Sequence, residues 1–368
     1  MRGALRLAKR AKGETSPNPL VGAIMVRGGK IIGRGWHHRA GLPHAEVEAI
    51  ADAKHKGNPT KGATLYVTLE PCSTSGRMPP CTRAIIGAGI SRVVVAATDP
   101  NPEHAGRAFR LLKRQGITVE HGVLAGQATE INVAFNHWIM TGLPFVTIKA
   151  AMTLDGKIAT AGGESKWITG PEARREGMKL RHEADAILVG VNTIIADDPG
   201  LTLRDVRRPK AGWRGPALRR IILDPRARTP LVSQVLNDEF VQHTTVVVSP
   251  GAPAGRLAKL KQCCRVIKCP MAKQGFNLKS LLGKLGRRDC THLLVEGGGE
   301  TNAAFIEAGF ARRMAFFYAP KILGGREART AVAGRGLPLA GGLRLEKIRW
   351  RNLGPDLMLT ARVADVQP

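Results

Sequence analysis

The sequence predicts a two-domain α/β protein, on three observations. The chain has 368 residues, 43% hydrophobic and 23% charged, as in a soluble globular protein long enough for two domains with their own cores. Apolar runs of strand length alternate with segments of helical periodicity, the pattern of helices layered on a central sheet. The alternation breaks at the Gly- and Pro-punctuated "MTGLPF" (Met140–Phe145) and then restarts.

In the first part, Leu5, Leu7 and Ala8 suit an amphipathic first helix. "PLVGAIMV" and "IIGRGWHH" read as strands joined by the hairpin turn "RGGK". A helix is expected from His44 to about Lys56, and "ATLYVTLE" reads as a buried strand. "CTRAIIGAG" suits a short helix ending at Gly87 or Gly89. "RVVVAATDP" is a further strand, with a helix over Glu103–Gln115. In the second part "FVTIKAAM", "AILVG", "RRIILD", "TTVVVS" and "HLLVEGGG" read as strands. Pro171–Glu183 reads as a helix opened by its proline. The tail reads as two antiparallel strands around "NLGPD", and Leu203–Leu218 as a mobile basic loop.

No run of about 18 apolar residues marks a membrane span. The N-terminus "MRGALRLAKRAKGETS" is basic enough to mimic a transit peptide but lacks the apolar core of a secretory signal. Six cysteines in so long a chain are no disulfide framework, so a reducing cytoplasm is expected. Cys263, Cys264, Cys269 and Cys290 show no metal-ligand pattern. The net charge of +27 raises nucleic-acid binding, but aromatics are only 4% and the basic clusters are scattered. Pockets for phosphorylated small molecules account for part of the charge, and a nucleic-acid partner is not expected.

The sharpest local signal is "PHAEVEAI" followed by "LEPCSTSGRMPPC". A catalytic zinc takes three protein ligands and leaves one position to water. His44, Cys72 and Cys81 supply three. Glu46, two residues from His44, sits beside the metal as the proton carrier. H-x-E followed by P-C-x-x-C is the general arrangement of zinc base deaminases. Here eight residues separate the cysteines instead of two. Pro79 and Pro80 suit the first turn of a helix that aims the Cys81 thiolate at the metal.

"TSPNPLVGAIMV", "AGLPHAEVEAI", "VTLEPCSTSGRMPPC" and "ATDPNPEHAGRA", in this order, resemble the riboflavin-biosynthesis bifunctional deaminase–reductases, the RibD family. The resemblance runs through nearly the whole chain. It implies a cytidine-deaminase-like three-layer domain over residues 1–143 and a dihydrofolate-reductase-like domain over 144–368. It implies zinc-dependent deamination of 2,5-diamino-6-ribosylamino-4(3H)-pyrimidinone 5′-phosphate, with Asn18, Asp99 and Asn101 lining the substrate pocket. The family pattern "CSHxGRTPPC" is altered here by Thr74 and Met78, which touches the loop and not the ligands.

"KAAMTLDGKIAT", "GESKWITG", "GVNTIIADDPGLTLR" and "LLVEGGGETNAAF" resemble the family's reductase half. The Gly-rich turn after the last strand can cradle a phosphate, although it is not G-x-G-x-x-G. The resemblance implies NADPH-dependent reduction of the ribose of 5-amino-6-(5-phosphoribosylamino)uracil to the ribityl form. It assigns Ala151, Trp167, Thr193, Asp197 and the Gly298–Ala304 turn (Gly298, Gly299, Glu300, Thr301, Asn302, Ala303, Ala304) to the cofactor. It assigns Ser165, Arg181, Leu201, Arg204 and Glu296 to the substrate. Arg181 and Arg204 are expected to fork onto the 5′-phosphate. Lys149 and Asp155 flank the expected hydride path. A homo-oligomer is expected and no membrane partner. The competing readings are a nucleic-acid (tRNA) base deaminase with an accessory domain, and a non-catalytic binding protein on the same scaffold.

Overall fold

The computed structural model describes residues 1–74, 79–204, 218–273 and 275–364. Met78 and residues 205–217, most of the stretch expected as a mobile loop, lie outside the described residues. The chain divides into two compact units, Met1–Leu143 and Pro144–Pro368.

The first unit is built on strands β1 (Gly22–Arg27), β2 (Lys30–Trp36), β3 (Thr64–Leu69), β4 (Arg92–Ala97) and β5 (Thr118–His121), in the order β2-β1-β3-β4-β5. β1 runs antiparallel to β2 and β3, whereas β3, β4 and β5 are mutually parallel. The β1–β2 turn places Gly28 and Gly29 at φ of 55° and 74°, as a two-residue hairpin of this hand requires. Met25, Leu65, Val67, Ile85, Val93 and Leu112 form the core. The first helix, Arg2–Ala8, buries Ala4, Leu5, Leu7 and Ala8.

Helix Ala45–His55 lies directly on β2. A Cβ at Gly33 or Gly35 would stand 2.3 Å from the carbonyl oxygen of Ala49 or Ala45. Only glycine permits that approach, which sets the position of the helix and of the His44 and Glu46 at its start. Helix Cys81–Gly87 ends at the earlier of the two expected glycines. The helix expected from Glu103 begins only at Arg107, after turns through 101–106 that end at Gly106 with φ 71°. β5 and the helices Ala125–Ile131 and Val133–Thr141 were not anticipated from the sequence.

In the second unit nine strands form one sheet. They are β6 (Phe145–Thr153), β8 (Ala186–Gly190), β9 (Arg219–Leu223), β10 (Thr244–Val248), β11 (Arg265–Lys268), β14 (His292–Val295), β15 (Ala311–Ala319), β17 (Leu345–Leu353) and β18 (Asp356–Val363). Short strands β7 (Lys157–Ala159) and β16 (Arg329–Thr330) pair with each other, as do β12 (Met271–Ala272) and β13 (Gly275–Phe276). The large sheet has the order β11-β10-β9-β8-β14-β6-β15-β18-β17. It is parallel from β11 to β15 and antiparallel through the β17–β18 hairpin. The hairpin around "NLGPD" is as expected. β15, in "ARRMAFFYA", carries two arginines that hide its strand character in the sequence. Its Arg313 is accommodated over the ring of Phe145, 5.3 Å from the centroid. Helix Pro171–His182 starts at its proline.

Cys263, Cys264, Cys269 and Cys290 are free thiols, and no second metal-competent cluster occurs among the described residues. No helix among the described residues is long and apolar enough to cross a membrane.

Candidate active sites

His44 is the N-cap of helix Ala45–His55, with extended backbone and no side-chain capping bond, so its ring is free to turn toward the cysteines. Cys72 follows β3, and Cys81 opens helix Cys81–Gly87. His44 Nδ1 lies 3.2 Å from Cys81 Sγ and 3.6 Å from Cys72 Sγ. Tetrahedral zinc with bonds of about 2.0 Å to nitrogen and 2.3 Å to sulfur separates such ligands by about 3.5 Å. The donor set therefore fits the ion in both chemistry and spacing.

One expectation needs correcting. Pro80 caps the helix rather than entering its first turn. The Cys81 N–H, at the helix N-terminus, donates to Cys72 Sγ over 3.2 Å. The negative charge is thus favoured on Cys72, whose thiol is pulled well below its usual range, first by the hydrogen bond from the Cys81 thiol. Cys81 is pushed up because its thiol donates to Cys72 and because it is buried. A divalent cation takes such a pair by displacing that shared proton.

Glu46 is 3% exposed and is not one of the three donors. Burial, then the charge of Cys72, raises its pKa to about 7. It lines a cavity of about 290 Å³ with Asn18, His44, Cys72, Asp99 and Asn101, so every first-domain site residue except Cys81 meets there. Cys81 joins through its contacts with His44 and Cys72.

The cavity also contains residues not singled out in the sequence: His37, Glu70, His104, Phe135 and Ile139. Asn18 Nδ2 stands 3.0 Å from His37 Nε2, and His37 Nδ1 stands 3.1 Å from the carbonyl of Pro43. A neutral ring with its proton on Nδ1 satisfies both contacts. Burial, which lowers the His37 pKa, favours that form. With Nδ2 so engaged, Oδ1 is the acceptor that Asn18 can offer in the cavity it lines. A second histidine seven residues before His44 was the available clue. Phe135 and Ile139 come from helix Val133–Thr141.

In the second unit a cavity of about 580 Å³ is lined by Lys149, Ala151, Trp167, Arg174, Arg175, Arg181, Arg204, Glu296 and Phe317, among others. It gathers Ala151, Trp167, Arg181, Arg204 and Glu296, five of the residues assigned to cofactor or substrate, together with Lys149. Trp167 is 60% exposed with Arg174 stacked 4.7 Å from its centroid, so it is an open platform and not a core tryptophan.

Arg181 corrects the phosphate-fork expectation. Its Nε and Nη2 donate to the two Glu296 oxygens at 2.8 and 2.9 Å, and Nη1 donates to the carbonyl of Thr202 at 3.0 Å. Those donors are committed inside the protein. Lys149 Nζ adds a second cation 3.5 Å from Glu296. Burial raises the Glu296 pKa, but Arg181 and Lys149 outweigh it and hold it at about 2.

Asp155, expected beside the hydride path, has its carboxylate engaged by the protein. It accepts from Leu323 N–H, Gly324 N–H and Thr153 Oγ1, and so ties a loop. Leu201 has φ 50° and a side chain buried in the core, so only its backbone is open to a ligand. Ser165 Oγ donates to Asp197 Oδ1 at 2.9 Å, which links a substrate candidate to a cofactor candidate. Thr193 lies on the same helix as Asp197, Val191–Asp197.

The expected Gly298–Ala304 turn is mostly helix. Gly298 is the N-cap and the helix runs Gly299–Glu307. Asn302 and Ala303 point inward at 0% and 1% exposure, with Asn302 Nδ2 donating to the Ala331 carbonyl. Their side chains are therefore closed to a cofactor. Gly298, Gly299, Glu300, Thr301 and Ala304 remain exposed or half-buried. A Cβ at Gly190 would come within 2.8 Å of Thr301 Oγ1, so the end of β8 packs closely on this helix start. Two parallel strands thus deliver two helix N-termini side by side, a general location for nucleotide binding.

Comparison with known proteins agrees with this layout. Residues 1–97 match the cytidine and deoxycytidylate deaminase zinc-binding region, and residues 144–359 match the RibD C-terminal domain. The chain is 46% identical over 360 residues to the riboflavin biosynthesis protein RibD of Aquifex aeolicus, covering 98% of this chain and 96% of that one. It is 38% identical over 370 residues to RibD of Escherichia coli, covering 98% and 97%. Acinetobacter baumannii RibD superposes with a TM-score of 0.88 at 35% identity, covering 99% and 98%. A diaminohydroxyphosphoribosylaminopyrimidine deaminase/5-amino-6-(5-phosphoribosylamino)uracil reductase of Thermotoga maritima gives 0.83 at 32% identity, covering 99% and 97%.

Proposed function

This chain belongs to the RibD family of riboflavin biosynthesis proteins, and we propose that it carries out two consecutive steps on one phosphoribosyl-pyrimidine skeleton. Residues 1–143 deaminate 2,5-diamino-6-ribosylamino-4(3H)-pyrimidinone 5′-phosphate. Residues 144–368 then reduce the ribose of 5-amino-6-(5-phosphoribosylamino)uracil with NADPH. The observation that carries the reading is the His44–Cys72–Cys81 cluster with Glu46 on the wall of the same cavity.

His44, Cys72 and Cys81 would hold zinc, whose Lewis acidity makes water a competent nucleophile at neutral pH. Glu46 takes the proton from the attacking water and returns protons to the ring nitrogen and the departing ammonia. Asn18 accepts through Oδ1 and Asn101 donates through Nδ2, which together read the edge of a pyrimidine.

NADPH would lie along Ala151, Trp167, Thr193, Asp197 and the Gly298–Thr301 helix start, and supplies a hydride to the ribose C1′. Arg204, with Arg174 and Arg175 on the same wall, meets the 5′-phosphate. Arg181 holds Glu296 in place to accept from the sugar or ring. Lys149, which faces the cavity, is the proton source for the opened ribose. A cytoplasmic homo-oligomer is the expected setting. Full-length similarity through both units favours this reading over a nucleic-acid deaminase with an accessory domain.

The test is metal analysis of the purified protein with ammonia release from the diamino-pyrimidine nucleotide, with and without NADPH. About one zinc per chain, ammonia release without NADPH, and NADPH oxidation only after deamination are expected. Ammonia release from tRNA but not from the nucleotide would overturn the reading.

A further inference from the structure

We propose that Glu70 is a positioning residue for the deaminase pocket, holding the 99–108 segment so that Asn101 meets the pyrimidine. The inference rests on the deaminase reading of this cavity.

Glu70 follows β3 and is 6% exposed, two residues before the zinc candidate Cys72, yet it is not part of the metal-competent cluster. Its carboxylate serves three backbone donors on one distant stretch. Oε2 accepts from Asp99 N–H at 3.2 Å and Gly106 N–H at 2.9 Å, and Oε1 accepts from Ala108 N–H at 3.1 Å. Gly106 is the N-cap of helix Arg107–Arg114 and has no side chain to cap it. Glu70 supplies that cap from another element.

Between the clamped ends lie only turns. Asp99 Oδ1 accepts from Asn101 N–H at 2.9 Å, and Asn101 Oδ1 accepts from Glu103 N–H at 3.0 Å. With its oxygen engaged, Asn101 presents Nδ2 as a donor to a ligand in the cavity that Asp99, Asn101 and His104 help to line. The hydrogen bonds thus run in series from Glu70 to the backbone of residue 99, then to Asn101. Only a carboxylate, an acceptor at both oxygens, satisfies all three donors; a glutamine turns an NH₂ toward at least one of them. The role predicted is in substrate binding, not in metal binding or proton transfer.

The test is Glu70→Gln in the full-length protein, alone and combined with Asn101→Ala. The expected result is a deaminase KM raised about tenfold, from the loss of charge-assisted hydrogen bonding. The kcat should stay within about twofold of wild type, because Glu46 and the ligands are untouched. Zinc content and NADPH-dependent reduction should be unchanged, and hydrogen exchange of the 99–108 peptide should quicken. In the Asn101→Ala background the KM effect should largely vanish, since both changes act on one contact. Loss of zinc or of the folded unit in Glu70→Gln, an unchanged KM, or additive effects in the double variant would each overturn the proposal. If wild type releases no ammonia from the nucleotide, the deaminase reading fails instead. The exchange of the 99–108 peptide still decides whether Glu70 holds it.

Discussion

Arg181→Met removes a buried cation while keeping most of the stem's packing, and its effect can be worked out from the structure. Arg181 and Glu296 have side chains only 9% and 10% exposed, so solvent screening takes little from their interaction. A fall in the Glu296 pKa from 4.5 to about 2, at about 1.4 kcal/mol for each tenfold change in proton affinity, corresponds to about 3 kcal/mol of stability. Cutting a buried pair by removing one partner typically costs about 3–5 kcal/mol, which agrees. Because the folded pKa lies below the unfolded one, this stability is fully present above about pH 4.5 and is lost as pH falls through about 2. Arg181 shares its hold on Glu296 with Lys149, so the variant should lose up to about 3 kcal/mol at pH 7, and the gap to wild type should narrow as pH falls from about 4.5 toward 2. Urea unfolding read by pulsed hydrogen exchange of β14 peptides isolates the second unit. A gap below about 1 kcal/mol at pH 7, or an equal gap at pH 3 and pH 7, would refute the reasoning.

Three further outcomes are expected. Glu46→Gln should keep zinc by metal analysis but lower deaminase kcat by about 10²–10⁴, with the reductase unaffected. Cys81→Ser should lose both zinc and ammonia release while still oxidising NADPH on the deaminated substrate. Gly35→Ala puts a Cβ 2.3 Å from Ala45 O and 2.4 Å from Ala49 N; it should cost about 1–3 kcal/mol in thermal unfolding and loosen zinc in a metal titration.

The zinc site was legible because its chemistry is written in short spacings. His44 and Glu46 share the start of one helix, and each cysteine lies beside a proline. Strands such as β1 and β14 were legible as uninterrupted apolar runs. β15 was not, because Arg312 and Arg313 break its pattern, and only the fold reveals the aromatic ring that receives a guanidinium. Arg181 is legible as a site residue, but its partner is not. An arginine on a helix carries no sign of whether its fork meets a phosphate or a glutamate 115 positions away. Asn302 and Ala303 lie within a Gly-rich motif, yet the inward face of a helix is set by what packs there, here the carbonyl of Ala331. Glu70 in "LEPC" carries no sign of its task in the sequence, since its three partners are backbone amides, which no side-chain pattern marks.

Glu46, Glu70 and Glu296 are three buried or nearly buried glutamates whose partners assign them different tasks. Glu46 stands in a cavity wall beside metal-competent donors, and burial dominates its ionisation. Glu296 is locked by an arginine fork and a lysine, so it stays anionic and keeps a cation-rich wall in register. Glu70 spends its charge on three amides and thereby shapes a loop. The same isosteric change, Glu to Gln, should therefore produce three separate failures. At position 46 it removes a proton carrier and lowers kcat. At position 70 it removes an acceptor and raises KM. At position 296 it leaves Arg181 and Lys149 as buried cations without an anion, so stability falls first and reductase activity with it.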